Sequence, residues 1–293
     1  MSIRDEIYTS FKKGDSLTKL IYINLAVFLL VSLVSIVSKL MLVDDSGWFA
    51  YISVPADTKL LMYRPWTILT YMFLHRDFFH ILFNVLNLYW FGRFFLMFFN
   101  QKQLVGLYIL GGIFGACSYI IAYNVFPYFH NAVPYSQLLG ASASVLAIMM
   151  GATVYSPNME VQLVLIGRVK LKYIAAVLFF LSLFSVAGSN AGGNLAHLGG
   201  ILCGFLFATS MKRGKDLTKW INCTIDFFVD LFARKPKMKV TYGKRPLTDD
   251  QWNERKKNES ALIDSILDKI KKSGYDSLTA EEKKTLFNQS PKN

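Results

Sequence analysis

Long apolar stretches alternate with short polar connections over the first 211 positions of this 293-residue chain. A stretch of roughly 17–25 apolar residues is long enough to cross the hydrocarbon core of a bilayer as an α-helix. Six such stretches occur, so the pattern predicts an all-α, polytopic membrane protein with six transmembrane helices. The predicted spans are residues 20–42, 73–91, 104–125, 138–155, 171–187 and 194–211.

Composition supports this division and adds a second region. Hydrophobic residues make up 53% of the chain and charged residues 18%, whereas soluble domains carry about 25% charged residues. From residue 211 onward the chain has 19 Lys and Arg against 12 Asp and Glu. We therefore predict a cytoplasmic N-terminal segment (1–19), a six-helix membrane domain (20–211), an amphipathic basic juxtamembrane segment (212–245) and a small helical cytoplasmic tail (246–293).

The distribution of basic residues predicts how the spans are oriented. Loops rich in Lys and Arg stay in the cytoplasm, and the loops at 124–137 and 188–193 contain neither residue. We therefore expect a multi-pass protein of the cell membrane with both termini in the cytoplasm. The basic residues that set this orientation are Lys12, Lys13, Lys19, Arg93, Lys102, Arg168, Lys170, Lys172, Lys212, Arg213 and Lys215.

Three of the predicted spans carry polar groups near their outer ends. Such groups are costly in a bilayer and usually face a protein interior or a water-filled cavity. Spans two, four and six all run from outside to inside, so these groups are expected at similar depth. They are His80, Asn84 and Asn87 in span two, Ser142 and Ser144 in span four, and Asn194 and His197 in span six.

Small residues at four-residue steps predict that spans four and six pack closely. They are Ala143, Ala147 and Gly151 in one span, and Ala196, Gly200 and Gly204 in the other. A close approach at matched depth would bring Ser142 beside His197. A serine hydroxyl becomes a strong nucleophile when an imidazole takes its proton, so the pattern predicts a Ser–His pair in which packing fixes the imidazole.

Three motifs resemble those of the rhomboid family of intramembrane serine proteases. They are His80-Ile-Leu-Phe-Asn84, Gly140-Ala-Ser142 and Ala196-His197-Leu-Gly199-Gly200, and they occur in the family's order on the second, fourth and sixth spans. The resemblance covers roughly residues 18–212. It implies a six-helix core with an aqueous cavity, in which Ser142 is the nucleophile and His197 the general base.

The same resemblance implies the roles of the remaining site residues and the class of substrate. His80, Asn84 and the backbone amide of Ser142 are expected to stabilise the oxyanion, and Gly140 to permit close backbone approach at the nucleophile. The expected substrates are single-span membrane proteins cut near their outer ends. No metal or organic cofactor is implied.

The chain departs from the family pattern in three places. Ala143 follows the nucleophile where Gly is common, and Leu146 stands where many members have a Tyr that stacks on the histidine. The first loop reads Arg64-Pro65-Trp66-Thr67 where Trp-Arg is common. None of these changes removes a group that does chemistry, so an active protease is preferred.

Two other function classes remain as alternatives. An inactive rhomboid-like protein would bind membrane clients without cutting them, although both Ser142 and His197 are present. A transporter or proton-coupled channel would use His80 and His197, but the inner halves of spans four and six are apolar or small.

His75 and His130 are expected to be surface residues. The three cysteines predict neither a disulfide framework nor a zinc site.

Beyond the last span, apolar residues recur at helical spacing from Leu217 to Phe232 and predict an amphipathic helix on the cytoplasmic membrane surface. The basic segment 234–245 is expected to contact anionic lipids; nucleic acid is the less favoured alternative ligand.

Two short helices are predicted to end the chain. The first covers about 258–273 with Gly274 as its stop, and the second begins at Thr279 with Glu282 completing a capping box.

Overall fold

The computed structural model describes residues 3–44, 46–163, 167–232 and 248–288. The chain is mostly helical and divides into two compact units, Met1–Ala233 and Arg234–Asn293. The helices of the first unit are α1 (Ile3–Lys13), α2 (Ser16–Leu40), α3 (Ser46–Phe49), α4 (Thr58–Tyr63), α5 (Thr67–Thr70), α6 (Phe78–Leu96), α7 (Gln101–Val125), α8 (Ser142–Tyr155), α9 (Leu171–Phe184), α10 (Ala191–Lys212) and α11 (Lys219–Phe232).

Two short antiparallel strand pairs interrupt the helical pattern, which the expectation of an all-α fold did not include. Strands β1 (Val54–Pro55) and β2 (Gln137–Leu138) join the loop after α3 to the segment before α8. Strands β3 (Glu160–Leu163) and β4 (Gly167–Lys170) form a hairpin between α8 and α9. Short 3-10 turns occupy Tyr71–Phe73 and Pro127–Ala132.

Each of the six predicted spans corresponds to one helix, namely α2, α6, α7, α8, α9 or α10. Among the described residues, three of these helices, α2, α7 and α10, are long and apolar enough to cross a membrane. The apolar helices α8 and α9 have 14 residues each, and α6 has 19.

Side-chain caps explain where several of these helices begin. The Asp15 carboxylate accepts from the Thr18 amide at 2.8 Å at the start of α2. Before α7, Asn100 and Gln103 form a reciprocal capping box. Asp77 accepts from the His80 amide at 2.8 Å, which starts α6 at residue 78, five residues later than predicted.

Helices α7, α8 and α10 form the centre of the first unit, and α8 packs most extensively on α10. A Cβ added at Gly200 would overlap the carbonyl oxygen of Ala143, and one added at Gly204 would overlap that of Ala147. Gly111 of α7 lies equally close to the Ala147 side chain. The predicted close approach of spans four and six through small residues is therefore confirmed.

Helix α11 packs against the start of α7. Thr218 and Asn222 lie against Gly106, and Lys102 forms a 2.6 Å ion pair with Asp226. The predicted amphipathic helix is therefore present over residues 219–232. Segment 234–245, predicted to be basic and lipid-binding, lies outside the described residues.

The second unit is a helical hairpin of α12 (Asp249–Ser273) and α13 (Ala280–Asn288) joined by a 3-10 turn, Tyr275–Ser277. Gly274 ends α12 with a φ of 77°, as predicted. The predicted capping box is also confirmed, because Glu282 accepts from the Thr279 amide at 2.7 Å and its own amide donates to the Thr279 hydroxyl. Helix α12 begins nine residues before the predicted position, where Thr248 and Gln251 form a second capping box.

Candidate active site

Ser142 and His197 meet where α8 crosses α10. The Oγ atom of Ser142 lies 2.7 Å from Nε2 of His197, a hydrogen-bonding distance suited to proton transfer from the hydroxyl to the imidazole. Ser142 is the first residue of α8, and His197 lies in the second turn of α10. The close packing of Gly200 on the Ala143 carbonyl, one turn deeper, brings the two helix backbones together at this point.

The loop that leads into Ser142 has a backbone shape that requires glycine. Gly140 has a φ of +119°, in the region that residues with a Cβ rarely adopt. A Cβ at this position would also lie 2.9 Å from both Cε1 and Nε2 of His80. The absence of a side chain therefore allows the His80 ring to lie directly beside the loop that carries the serine.

Contacts from the first loop hold this segment in place. The Gly140 amide donates to the Tyr71 carbonyl at 2.9 Å, and the Tyr71 hydroxyl donates to the Gly112 carbonyl of α7 at 2.6 Å. Strand β2, which ends two residues before Gly140, pairs with β1. Because of these bonds the chain stays extended at residues 137–138 and α8 begins at residue 142, where the sequence predicted a span from 138.

His80 and Asn84 lie one turn apart on α6 and line the same cavity as Ser142 and His197. The Asn84 side-chain amide donates to the His80 carbonyl at 2.9 Å, and Asn84 is buried. A carboxamide nitrogen has two protons, so one stays available after this bond. The structure thus brings all five predicted site residues, Gly140 included, to one place.

The cavity has a volume of about 800 Å³. Its lining includes Phe79, Phe83 and Asn87 of α6 and Leu178 and Leu181 of α9. Polar residues such as Arg76, Asp77 and Asn194 line it together with apolar ones such as Val145 and Leu146. A mostly apolar wall with a few polar groups is the usual composition of a ligand-binding pocket.

The expectation that His75 lies on the surface is wrong. Its side chain is 0% exposed, its ring packs edge-on against His80 with centroids 4.9 Å apart, and its Nε2 accepts from the Ala141 amide at 3.5 Å. His75 lies in the turn before α6, so helical periodicity gave no signal for its burial. His130, in contrast, is exposed as predicted.

Sequence reasoning also missed Ser182 of α9. Its Oγ lies 3.3 Å from Nδ1 of His197, and the residue is 5% exposed. The available signal was a single hydroxyl in the otherwise apolar run at the end of α9, but the sequence does not say which neighbour a lone serine faces.

The described residues contain no group of three His, Cys, Asp or Glu side chains placed to hold a metal ion. The buried functional groups of the cavity are hydroxyl, imidazole, carboxamide and backbone amide. This set can deprotonate a serine and donate hydrogen bonds to an oxygen that gains negative charge.

Comparison with known families finds a match within each of the two units of the chain. The sequence model of the Rhomboid domain family matches residues 63–213, which include all the site residues above. A family of unknown function, DUF6576, matches residues 248–292, which include α12 and α13. None of the curated proteins matches the chain.

Proposed function

The chain belongs to the rhomboid family, and on that premise we propose that it is an intramembrane serine endopeptidase that cleaves single-span membrane proteins near the outer membrane face. The observation that carries the proposal is the 2.7 Å contact between Ser142 Oγ and His197 Nε2 inside the cavity. Ser142 is the nucleophile and His197 the general base.

The reaction proceeds by acyl transfer. Ser142 Oγ attacks the scissile carbonyl carbon while His197 Nε2 takes the hydroxyl proton. The tetrahedral intermediate collapses when the imidazolium returns that proton to the leaving amine nitrogen, which breaks the peptide bond and leaves an ester on Ser142. A water molecule then gives a proton to His197 and attacks the ester, and the second product leaves as a carboxylic acid with Ser142 restored.

Three groups are proposed as hydrogen-bond donors to the oxyanion of the intermediate. The backbone amide of Ser142 lies in the first turn of α8, where helix amides have no partner within the helix. His80 and Asn84 of α6 line the same cavity as Ser142 and are the other two proposed donors. Removal of one such donor typically lowers kcat by about 10²–10³-fold.

We further propose that α2, α6, α7, α8, α9 and α10 are six membrane spans, with both termini in the cytoplasm. With 14 residues, α8 is about 21 Å long, whereas the hydrocarbon core is about 30 Å thick. Ser142 at its outer end therefore lies below the membrane surface. The cavity supplies the water that hydrolysis needs at this depth.

The lipid bilayer is the proposed partner of α11. Its exposed apolar residues are Trp220, Phe227, Phe228, Val229 and Leu231, and basic residues at 212–219 and 234–245 flank this helix in the sequence. This arrangement suits a helix that lies in the interface of a membrane with anionic lipids. A nucleic-acid role for the neighbouring basic residues is not proposed, because a segment tethered at the membrane meets lipid headgroups first.

Cleavage of a single-span test substrate by the purified full chain in detergent tests the proposed activity. Wild type is expected to cleave the substrate, and Ser142→Ala and His197→Ala are expected to have no cleavage activity. Binding of the substrate without cleavage, repeated in lipid vesicles, would favour the inactive client-binding alternative. Cleavage by Ser142→Ala would show that another residue is the nucleophile.

A further inference from the structure

The second ring nitrogen of His197 has a partner on a different helix from the nucleophile. Ser182 Oγ of α9 lies 3.3 Å from Nδ1, while Nε2 contacts Ser142. We infer that Ser182 is a positioning residue for His197 and completes a three-residue hydrogen-bonded relay, Ser182–His197–Ser142. The inference rests on the proposed function, since it concerns how the proposed base is held and charged.

The chemistry of the base explains why Nδ1 needs an acceptor. To receive the Ser142 proton, Nε2 must be unprotonated, so the ring proton of neutral His197 must lie on Nδ1. After the transfer, both ring nitrogens are donors and the ring is positively charged. The Ser182 oxygen accepts from Nδ1 in both states, and its hydrogen bond becomes stronger when the ring becomes charged.

Ser182 has its hydrogen-bonding contact with His197 and not with the backbone of its own helix. Hydroxyl residues in membrane helices commonly bond to the carbonyl four residues earlier, as Thr153 does to Met149 and Thr209 to Phe205. Among the described residues, the hydrogen-bond partner of Ser182 is His197 instead. At 5% exposure, an unpaired hydroxyl here would be costly, so the bond stabilises the observed ring position.

Ser182 also explains how the His197 ring is held when residue 146 is a leucine. Many rhomboid proteases carry a Tyr at that position, one turn after the nucleophile, which stacks on the base. Leu146 is apolar and has no hydrogen-bonding group, so it cannot act on Nδ1. In this chain the ring is supported from α9, which also lines the cavity.

The test compares Ser182→Ala with Ser182→Thr, which keeps the hydroxyl. Ser144→Ala is the matched control, because Ser144 is a buried serine of α8 whose hydroxyl has no hydrogen-bond partner in the part of the chain that the structure describes. We expect Ser182→Ala to lower kcat about tenfold or more, in the range typical for loss of a hydrogen bond to a charged group. KM and the melting temperature should stay near wild type, while Ser182→Thr and Ser144→Ala should keep most of the activity.

A second readout reports the reactivity of Ser142 without a peptide substrate. The rate at which a fluorophosphonate labels Ser142 should fall in Ser182→Ala in parallel with kcat and recover in Ser182→Thr. Equal kcat and labelling in Ser182→Ala and wild type, with Ser142→Ala silent, would overturn this inference alone. A loss that Thr does not restore, or that comes with a lowered melting temperature, would also overturn it. A wild-type protein that neither cuts nor reacts would overturn the proposed function and this inference with it.

Discussion

The Gly140 backbone lies against the ring of His80, with space for no side chain between them. A Cβ at Gly140 would come within 2.9 Å of two ring atoms, and the φ of +119° disfavours any residue that has one. Two elements far apart in the sequence, the start of α6 and the loop before α8, therefore meet through this glycine. The proposed oxyanion donors and the nucleophile depend on that contact.

Gly140→Ala is accordingly expected to reduce cleavage of a single-span test substrate by at least about tenfold, since the loop must move by a fraction of an ångström away from His80. Gly214→Ala is the matched control. Gly214 also has a positive φ, of 73°, but a Cβ there meets open space. Both variants strain the backbone, Gly214→Ala by about 1–2 kcal/mol and Gly140→Ala by more, because a φ of +119° lies outside the left-handed region that other residues can enter. Equal loss of activity in both would contradict a local effect of Gly140 on the site.

His75 is expected to hold the loop before the nucleophile through its bond to the Ala141 amide. His75→Phe keeps an aromatic ring but removes the acceptor, so a buried amide loses its partner at a cost of about 1–3 kcal/mol. We expect a lower melting temperature and a lower kcat. The exposed His130 provides the control, and His130→Phe should change neither quantity. A His75→Phe enzyme with wild-type kcat and melting temperature would show that the Ala141 bond is unimportant.

Much of the fold could be predicted from the sequence because apolar length and small-residue spacing are local signals. The six predicted spans each matched one helix, and Gly200 and Gly204 pack on α8 as their spacing indicated. The start of α8 was placed four residues early because residues 137–138 are held in an extended conformation by β1, a partner more than eighty residues away. Local apolar pattern cannot report such a pairing.

For the site as well, local motifs identified some residues, whereas residues that depend on contacts between distant segments could not be predicted. The motifs identified Ser142, His197, His80 and Asn84, whose side chains line one cavity in the structure, and Gly140, whose backbone lies beside the His80 ring. The expectation of a surface position for His75 follows from its place at the outer interface, whereas its burial comes with contacts to the His80 ring and the Ala141 amide. Ser182 was overlooked because its contact is with another helix, and a single sequence does not report which helices touch.

The contact between Gly200 and the Ala143 carbonyl predicts a strong effect of a small change. Gly200→Ala places a methyl group in the space occupied by a backbone oxygen, so α10 must shift away from α8. Overpacking of this kind typically costs about 1–3 kcal/mol, and the shift also lengthens the Ser142–His197 contact. We expect a lower melting temperature and a loss of cleavage of about tenfold or more.

Leu202 lies two residues further along α10 with its side chain 51% exposed, which makes Leu202→Ala the matched control. That variant is expected to keep both activity and stability close to wild type. If Gly200→Ala retained wild-type kcat and melting temperature, the packing of these two helices would have to tolerate a side chain. The role assigned to the small residues would then be wrong.

Asp216 lies between α10 and α11 and bonds to Gln103 of α7 and to Thr218, just before α11. Its carboxylate should make the free energy of unfolding depend on pH. Its carboxylate accepts from Gln103 Nε2 at 3.0 Å and from the Thr218 amide at 2.8 Å. Burial acts to raise the pKa of Asp216, but the hydrogen bonds from Thr218 and Gln103 outweigh it and lower the pKa below the usual value. Stability contributed by a carboxyl with a lowered pKa is present above the unfolded value, about 3.9, and is lost as the pH falls through the folded value.

Asp216→Ala should therefore lower the melting temperature at pH 7, and the difference from wild type should shrink as the pH falls below about 4, where the unfolded carboxyl is protonated. Asp226→Ala is the control, because Asp226 is half exposed and its ion pair with Lys102 is of the surface kind that contributes about 0–1 kcal/mol. Thermal melts of wild type and both variants between pH 3 and pH 7 measure the effect. A difference for Asp216→Ala that stayed constant over this range would show that packing around residue 216, and not its ionised carboxylate, holds α7 and α11 together.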